Sequence, residues 1–153
     1  MNEAGALPAA APVVACRGLC RSYGEGAAAV HALAGVDFDV SAGEFVSLAG
    51  PSGSGKSTLL NMIGALDVPD AGEVRVEGRS LAGLDRAARA DLRLRRIGFV
   101  FQSYNLVPVL SARENVEFIM QLQGVPAAER RERALAVLAE LGLAELAERR
   151  PGA

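Results

Sequence analysis

One residue in 153 is lysine. Lys56 stands alone against 15 arginines, and there is one histidine, His31, and no tryptophan. Aromatic residues make up 5% of the chain. With two cysteines the chain is no disulfide-stapled miniature. Cys16 and Cys20 lie four apart on a segment that reads as a strand, too close along one extended chain to bridge, so both read as small buried hydrophobes in a reducing compartment. No run of 18 apolar residues is present, which excludes a membrane-spanning helix. There is no basic excess either: the net charge is -2, a poor match to a partner rich in phosphates such as nucleic acid. Val13-Val14-Ala15-Cys16 imitates a lipoprotein cleavage box. No cation precedes it, however, and Pro8 and Pro12 interrupt the apolar stretch, so a signal peptide is not expected. Residues 1–11 read as a flexible Ala/Pro-rich leader.

What is present suits one globular domain, with 50% hydrophobic and 22% charged residues. Val13 to Tyr23 reads as a strand. Val36, Phe38 and Val40 alternate with Asp37 and Asp39, the period of a half-buried strand. Glu44–Ala49 and Ile97–Phe101 read as short buried strands, and Glu73–Glu77 as an alternating one with Val74 and Val76 on one face. Residues 86–95 read as helix. The arginine cluster there (Arg86, Arg89, Arg93, Arg95 and the following Arg96) is interleaved with Asp85 and Asp91, as on a solvated face. Ser111-Ala112-Arg113-Glu114 has the form of a capping box opening a helix to about Gln123. A second helix is predicted from Ala127 to Leu141 with Leu135, Leu138 and Leu141 inward, ended by Gly142, and a short last helix over Ala144–Arg149. The order is that of a mixed α/β domain followed by a helical segment near 111–150.

Lysine is scarce through a bias towards arginine, but the bias does not explain where Lys56 sits. It lies in Gly50-Pro51-Ser52-Gly53-Ser54-Gly55-Lys56-Ser57-Thr58, which matches G-x-x-x-x-G-K-[ST]. A short apolar segment precedes it, and helically spaced Leu59, Leu60, Met62, Ile63 and Leu66 follow, as a P-loop requires. Gly50, Gly53 and Gly55 let the backbone curl so that N–H groups, with Ser52 and Ser54 among them, face an anion. The helix start adds its positive end. Lys56 would reach β- and γ-phosphates, Ser57 would bind Mg2+, and Thr58 would support the α-phosphate side. His31 precedes this loop and reads as a surface or strand-edge residue.

This loop, extended by Leu59-Leu60 and followed by Ile97-Gly98-Phe99-Val100-Phe101-Gln102, resembles the ATP-binding domain of ABC transporters. Val30-His31-Ala32-Leu33, Asn61-Met62-Ile63-Gly64 and Gln102-Ser103-Tyr104-Asn105-Leu106-Val107-Pro108 narrow the resemblance to ATPase subunits of the lipoprotein-releasing and macrolide-exporting type. The resemblance implies an α/β fold: a P-loop NTPase core with an antiparallel β subdomain and the start of an α-helical subdomain. It implies a nucleotide-binding domain over 12–153, with the helical part at about 103–150. It also implies ATP and Mg2+ as cofactors. Tyr23 falls at the adenine-stacking aromatic. Gln102 falls at the Q-loop, where it would bind Mg2+ or the attacking water. Tyr104, Asn105, Leu106 and Pro108 fall where a membrane partner's coupling helix is received, and core packing is the alternative for these four. The implied partners are an integral-membrane permease and a second ATPase subunit, at the cytoplasmic face of a bacterial inner or plasma membrane.

The family pattern is incomplete. After Gln102 there is no apolar strand ending in Asp-Glu, no Leu-Ser-Gly-Gly-Gln segment and no later histidine. The expectation is a C-terminally truncated domain that binds nucleotide without hydrolysing it, exposes an apolar edge and is weakly stable in isolation. Two other readings stay open: a cell-division-type ATPase that regulates a membrane partner without transport, and another P-loop NTPase such as a kinase or GTPase-like switch.

Overall fold

Two long strands are built from an apolar segment that ends at Tyr23 and from a second that ends in Val36, Phe38 and Val40 alternating with Asp37 and Asp39. A computed structural model describes residues 11–152; the proposed leader lies outside them except for Ala11. Two units divide within a helix, at Arg93 and Leu94.

In the first unit, β1 (Val14–Tyr23), β2 (Val30–Val40), β3 (Ala71–Val76) and β4 (Arg79–Ser80) form an antiparallel sheet in the order β2-β1-β3-β4. Cys16 pairs with Phe38 on one side and Val74 on the other, at the centre of the sheet. Helix α1 (Lys56–Ile63) lies against β1, β2 and β3. It contributes Leu59 and Met62 to a core that also holds Cys16, Leu19, Leu33, Val74 and Val76. Each such aliphatic side chain stabilises the fold by about 1.5–3 kcal/mol. Helix α2 (Arg86–Arg96) buries Leu92, and its Arg93 guanidinium donates to the Ala65 carbonyl at 2.7 Å.

Both cysteines are free. Burial, with the Asp39 charge, pushes the Cys16 thiol up to about 11 against the nearby Arg17, so it stays protonated at neutral pH. Cys20 is only half-buried. Its Sγ accepts the Gly35 N–H at 3.3 Å, because β1 is irregular between Arg17 and Cys20 and breaks the simple one-face spacing.

In the second unit, Ser111 caps α3 (Ala112–Leu122). The Glu114 N–H donates to Ser111 Oγ and the Ser111 N–H to the Glu114 carboxylate, the expected capping box. Helix α4 (Ala127–Glu140) packs on α3 through Ala134 and Leu138. Leu135 and Leu141 are exposed, which corrects the inward face read from leucines alone: the buried stripe runs i, i+4 through an alanine, small enough for close helix approach. Arg113 binds Glu117 and Glu148, fastening the short helical turn Ala144–Leu146 and the residues after it to α3.

The segments Glu44–Ala49 and Ile97–Phe101 are not strands. Apolar sequence favours an extended backbone, but a strand also needs a neighbouring ladder, and among the described residues none runs beside either segment. Much of their apolar surface stands in solvent: Phe45 is 97% exposed and Val100 fully exposed, while Leu48, Ile97 and Phe99 are half-buried. Phe99 and Phe101, two apart, stack with ring centroids 5.7 Å apart. Among the described residues no helix is long and apolar enough to cross a membrane.

Leu19 and Phe45 therefore predict opposite outcomes. Leu19→Ala is expected to cost about 3 kcal/mol in urea unfolding, whereas Phe45→Ala changes stability by less than about 0.5 kcal/mol and lowers association measured by light scattering. The sheet is also acid-sensitive. The Arg17 guanidinium holds the Asp39 carboxyl below its ordinary value, the Ser22 N–H and then Arg21 do so for Asp70, and Ser80 and then Arg75 for Glu73. A lowered folded pKa adds stability above the ordinary carboxylate value of about 4, and that stability is lost as pH falls through the lower folded value. Urea midpoints should be flat from pH 7 to 5 and fall below about pH 4, with a shallower acid limb in Asp70→Asn.

Candidate functional site

Gly50 to Thr58 form a loop that closes onto the start of α1. Gly55 caps the helix with φ +86° and no side-chain hydrogen bond to its first turn. The first intrahelical bond in that turn is Leu59 N–H to the Gly55 carbonyl, 2.8 Å. The N–H groups of Lys56, Ser57 and Thr58 therefore have no carbonyl behind them within the helix. With the helix dipole they make an electropositive end.

Gly55 also sits under β2. A Cβ built there would lie 2.4 Å from the Ala32 carbonyl oxygen and 3.3 Å from Leu33 Cδ2, so no residue but glycine fits without backbone movement. At Gly50 a Cβ would lie 2.9 Å from Ser54 Oγ, a flexible side-chain atom and a milder constraint.

The Lys56 ammonium folds over this loop. It donates to the carbonyls of Gly50 at 2.9 Å and Pro51 at 2.7 Å, and to Ser54 Oγ at 3.1 Å. Among the described residues no carboxylate pairs with it. A cation held only by neutral oxygens beside a helix N-terminus is a site for an anion. Ser52, Gly53 and Ser57 are exposed on the same loop, and Thr58 is half-buried. The structure thus brings Lys56, Gly50 and Ser54 together directly, with the other loop residues contiguous to them.

Tyr23 ends β1 and is 40% exposed. Its hydroxyl donates to Asp67 at 3.0 Å, and the Arg21 guanidinium lies 4.9 Å from the ring centroid. Arg21 reaches Asp70 through Nη1 at 2.7 Å and Asp67 through Nη2 at 3.0 Å. The Ser22 N–H donates to the second Asp70 oxygen at 2.7 Å. Sequence reasoning singled out Tyr23 but missed Arg21, Asp67 and Asp70. The available signal was Arg21 two residues before Tyr23 on one strand; the two aspartates lie over 40 residues away. His31 is an exposed β2 residue facing Ser22, with 2.9 Å between Nδ1 and Oγ.

Gln102 lies exposed in the second unit, in the loop that leads to α3. That loop is shaped by Asn115. The Val107 N–H donates to Asn115 Oδ1, and Asn115 Nδ2 donates to the carbonyls of Val107, Leu110 and Ser111. Tyr104 is 94% exposed and Leu106 about half, so neither packs into a core.

Residues 33–153 match the sequence family described as ABC transporter. The chain is 50% identical over 140 residues to the macrolide export ATP-binding/permease protein MacB of Marinobacter nauticus, covering 92% of this chain and 22% of that protein. It is equally similar to the pyoverdine export ATP-binding/permease protein PvdT of Pseudomonas fluorescens, over 92% of this chain and 22% of the relative. An ABC transporter ATP-binding protein of Thermotoga maritima is 50% identical over 84% of this chain and 55% of its own length. Among solved structures, the dimeric ATP-binding cassette MJ0796 bound to ADP and Pi superposes with a TM-score of 0.82 at 41% identity, over 90% of this chain and 61% of that one. The chain spans about a fifth of the length of the export proteins it matches. The fold is an α/β P-loop core carrying an antiparallel sheet and helices, and the chain belongs to the ABC transporter family.

Proposed function

We propose that the chain is the nucleotide-binding portion of an ATPase subunit that couples MgATP to a membrane export or release system. The observation that carries this is Lys56: an ammonium with no carboxylate partner among the described residues, folded over a glycine loop at a helix N-terminus. Gly50, Ser52, Gly53, Ser54 and Gly55 would surround the phosphates with backbone N–H groups, and Lys56 would turn from the loop carbonyls to the β- and γ-oxygens. Tyr23 would stack on the base.

Mg2+ fits the Ser57 hydroxyl, a hard oxygen donor exposed in the first turn of α1; Gln102, read as a Q-loop residue, would add an amide oxygen. When bound, the ion neutralises charge on the β- and γ-phosphate oxygens. Gln102 would report the γ-phosphate to the helical part. Residues 1–153 contain no acidic residue closing an apolar strand after Gln102, so they hold the nucleotide but lack a general base to orient water.

In the whole protein we place two such domains face to face around two nucleotides, beside an integral-membrane permease at the cytoplasmic side of a bacterial inner or plasma membrane. The names of the MacB and PvdT relatives, which join ATP binding to a permease, and the dimeric cassette MJ0796 support this. Exposed Tyr104 and Leu106, on a loop pinned by Asn115, support a role for Tyr104–Pro108 in receiving the permease. A cell-division-type ATPase acting on a membrane partner without transport would use the same cradle. A kinase or GTPase-like switch has no specific observation in its favour.

Lys56→Ala is expected to weaken MgATP binding about 10- to 100-fold, the value of a lost charge-assisted hydrogen bond, measured by calorimetry on the 153-residue chain. Phosphate release by that chain should be absent; turnover that disappears in Lys56→Ala would overturn the binding-only reading. Gly55→Ala forces a left-handed alanine against the Ala32 carbonyl. It should destabilise the fold by about 2–4 kcal/mol and abolish nucleotide binding together with it.

A further inference from the structure

The Tyr23 ring is held at several points, and the arrangement is not that of an ordinary ion pair. Arg21 does not use its Nε, which is buried and without a hydrogen-bond partner. It reaches Asp70 and Asp67 through its two Nη atoms instead. That end-on approach leaves the flat guanidinium 4.9 Å from the Tyr23 ring centroid, a cation–π arrangement. Asp67 closes the circuit: one oxygen accepts from Arg21 Nη2 and the other from the Tyr23 hydroxyl, both at 3.0 Å. Asp67 is in turn fixed by the Val68 N–H, 2.8 Å from Oδ1. Asp70 is fixed by the Ser22 N–H, next to Tyr23 in the chain.

A tyrosine at the end of a strand, 40% exposed, would otherwise turn freely about its side-chain bonds. A base stacking on it would have to immobilise it. Here the hydroxyl is tethered and one ring face is covered by a cation, so the opposite face is the one presented. An aromatic surface set in advance binds a planar ring at lower entropic cost.

We propose that Arg21 and Asp67 are positioning residues that lock the Tyr23 ring in the orientation in which it receives the nucleotide base. This rests on the reading of the site as a nucleotide site and adds two residues, from β1 and from the segment between α1 and β3, that act on the base and not on the phosphates.

The test compares MgATP with inorganic tripolyphosphate plus Mg2+, which engages the phosphate cradle without a base, by calorimetry on the 153-residue chain. Arg21→Gln should weaken ATP about three- to tenfold, the cost of immobilising one side chain, and change tripolyphosphate affinity by less than about twofold. Arg21→Lys should recover part of the loss, because an ammonium can also lie over the ring. In a Tyr23→Leu background, Arg21→Gln should have no further effect on ATP, since the residue it positions is gone. If Arg21→Gln does not fold, Asp67→Asn carries the same expectations. Equal losses for both ligands, or a loss of ATP affinity that persists in the Tyr23→Leu background, would overturn the proposal without overturning the nucleotide-site reading. Tripolyphosphate binding unchanged by Lys56→Ala would instead overturn the nucleotide-site reading, and this proposal with it.

Discussion

The glycine at the start of α1 has no room for a side chain. Gly55 is left-handed at φ +86° and lies directly beneath the Ala32 carbonyl of β2. That close approach sets the helix start against the sheet, and the first-turn N–H groups, as at any helix start, have no carbonyl behind them within the helix. The Lys56 ammonium then closes the loop by donating to the carbonyls of Gly50 and Pro51, six and five residues back along the chain, and to the Ser54 hydroxyl two residues back. Leu59 and Met62, one turn on, anchor the helix in the core shared with β1 and β3. An electropositive helix start at one end of α1 and hydrophobic burial along its side are thus set by one short segment.

Around this segment the sheet plays two parts. Its buried residues, Cys16, Leu19 and Val74, provide the stable platform. Its end, at Tyr23, carries a polar network in which Asp67 and Asp70, from the stretch that returns from α1, hold Arg21 and the tyrosine hydroxyl. The loop after α1 therefore does more than connect: it brings two carboxylates to the strand end, where both accept from Arg21 and Asp67 accepts from the Tyr23 hydroxyl. The second unit is organised by local devices, a capping box at Ser111 and the amide of Asn115, which together shape the loop bearing Tyr104 and Leu106.

Local requirements made much of this legible. Gly50 to Thr58 could be read because a curled anion-binding backbone demands glycines, and because the one lysine falls within it. The Ser111–Glu114 box could be read because both hydrogen bonds are made within four residues. Val36, Phe38 and Val40 in β2 and Val74 and Val76 in β3 showed the period of a strand. The segments Glu44–Ala49 and Ile97–Phe101 did not become strands, although their composition is that of buried ones, because a ladder depends on residues distant in sequence. The inward face of α4 was misread for a related reason: Ala134 is buried and Leu135 is not, since the close approach of α3 selects the small residue.

By itself the sequence determined the glycine-rich loop with its single lysine, the capped start of α3 and the alternation within β2 and β3, all of which depend on neighbours a few residues apart. Only the tertiary structure decided which side chains surround Tyr23, which leucines lie inside and whether an apolar segment pairs. Those outcomes depend on groups that folding brings together across tens of residues, as Arg21 is brought to Asp67 and Asp70.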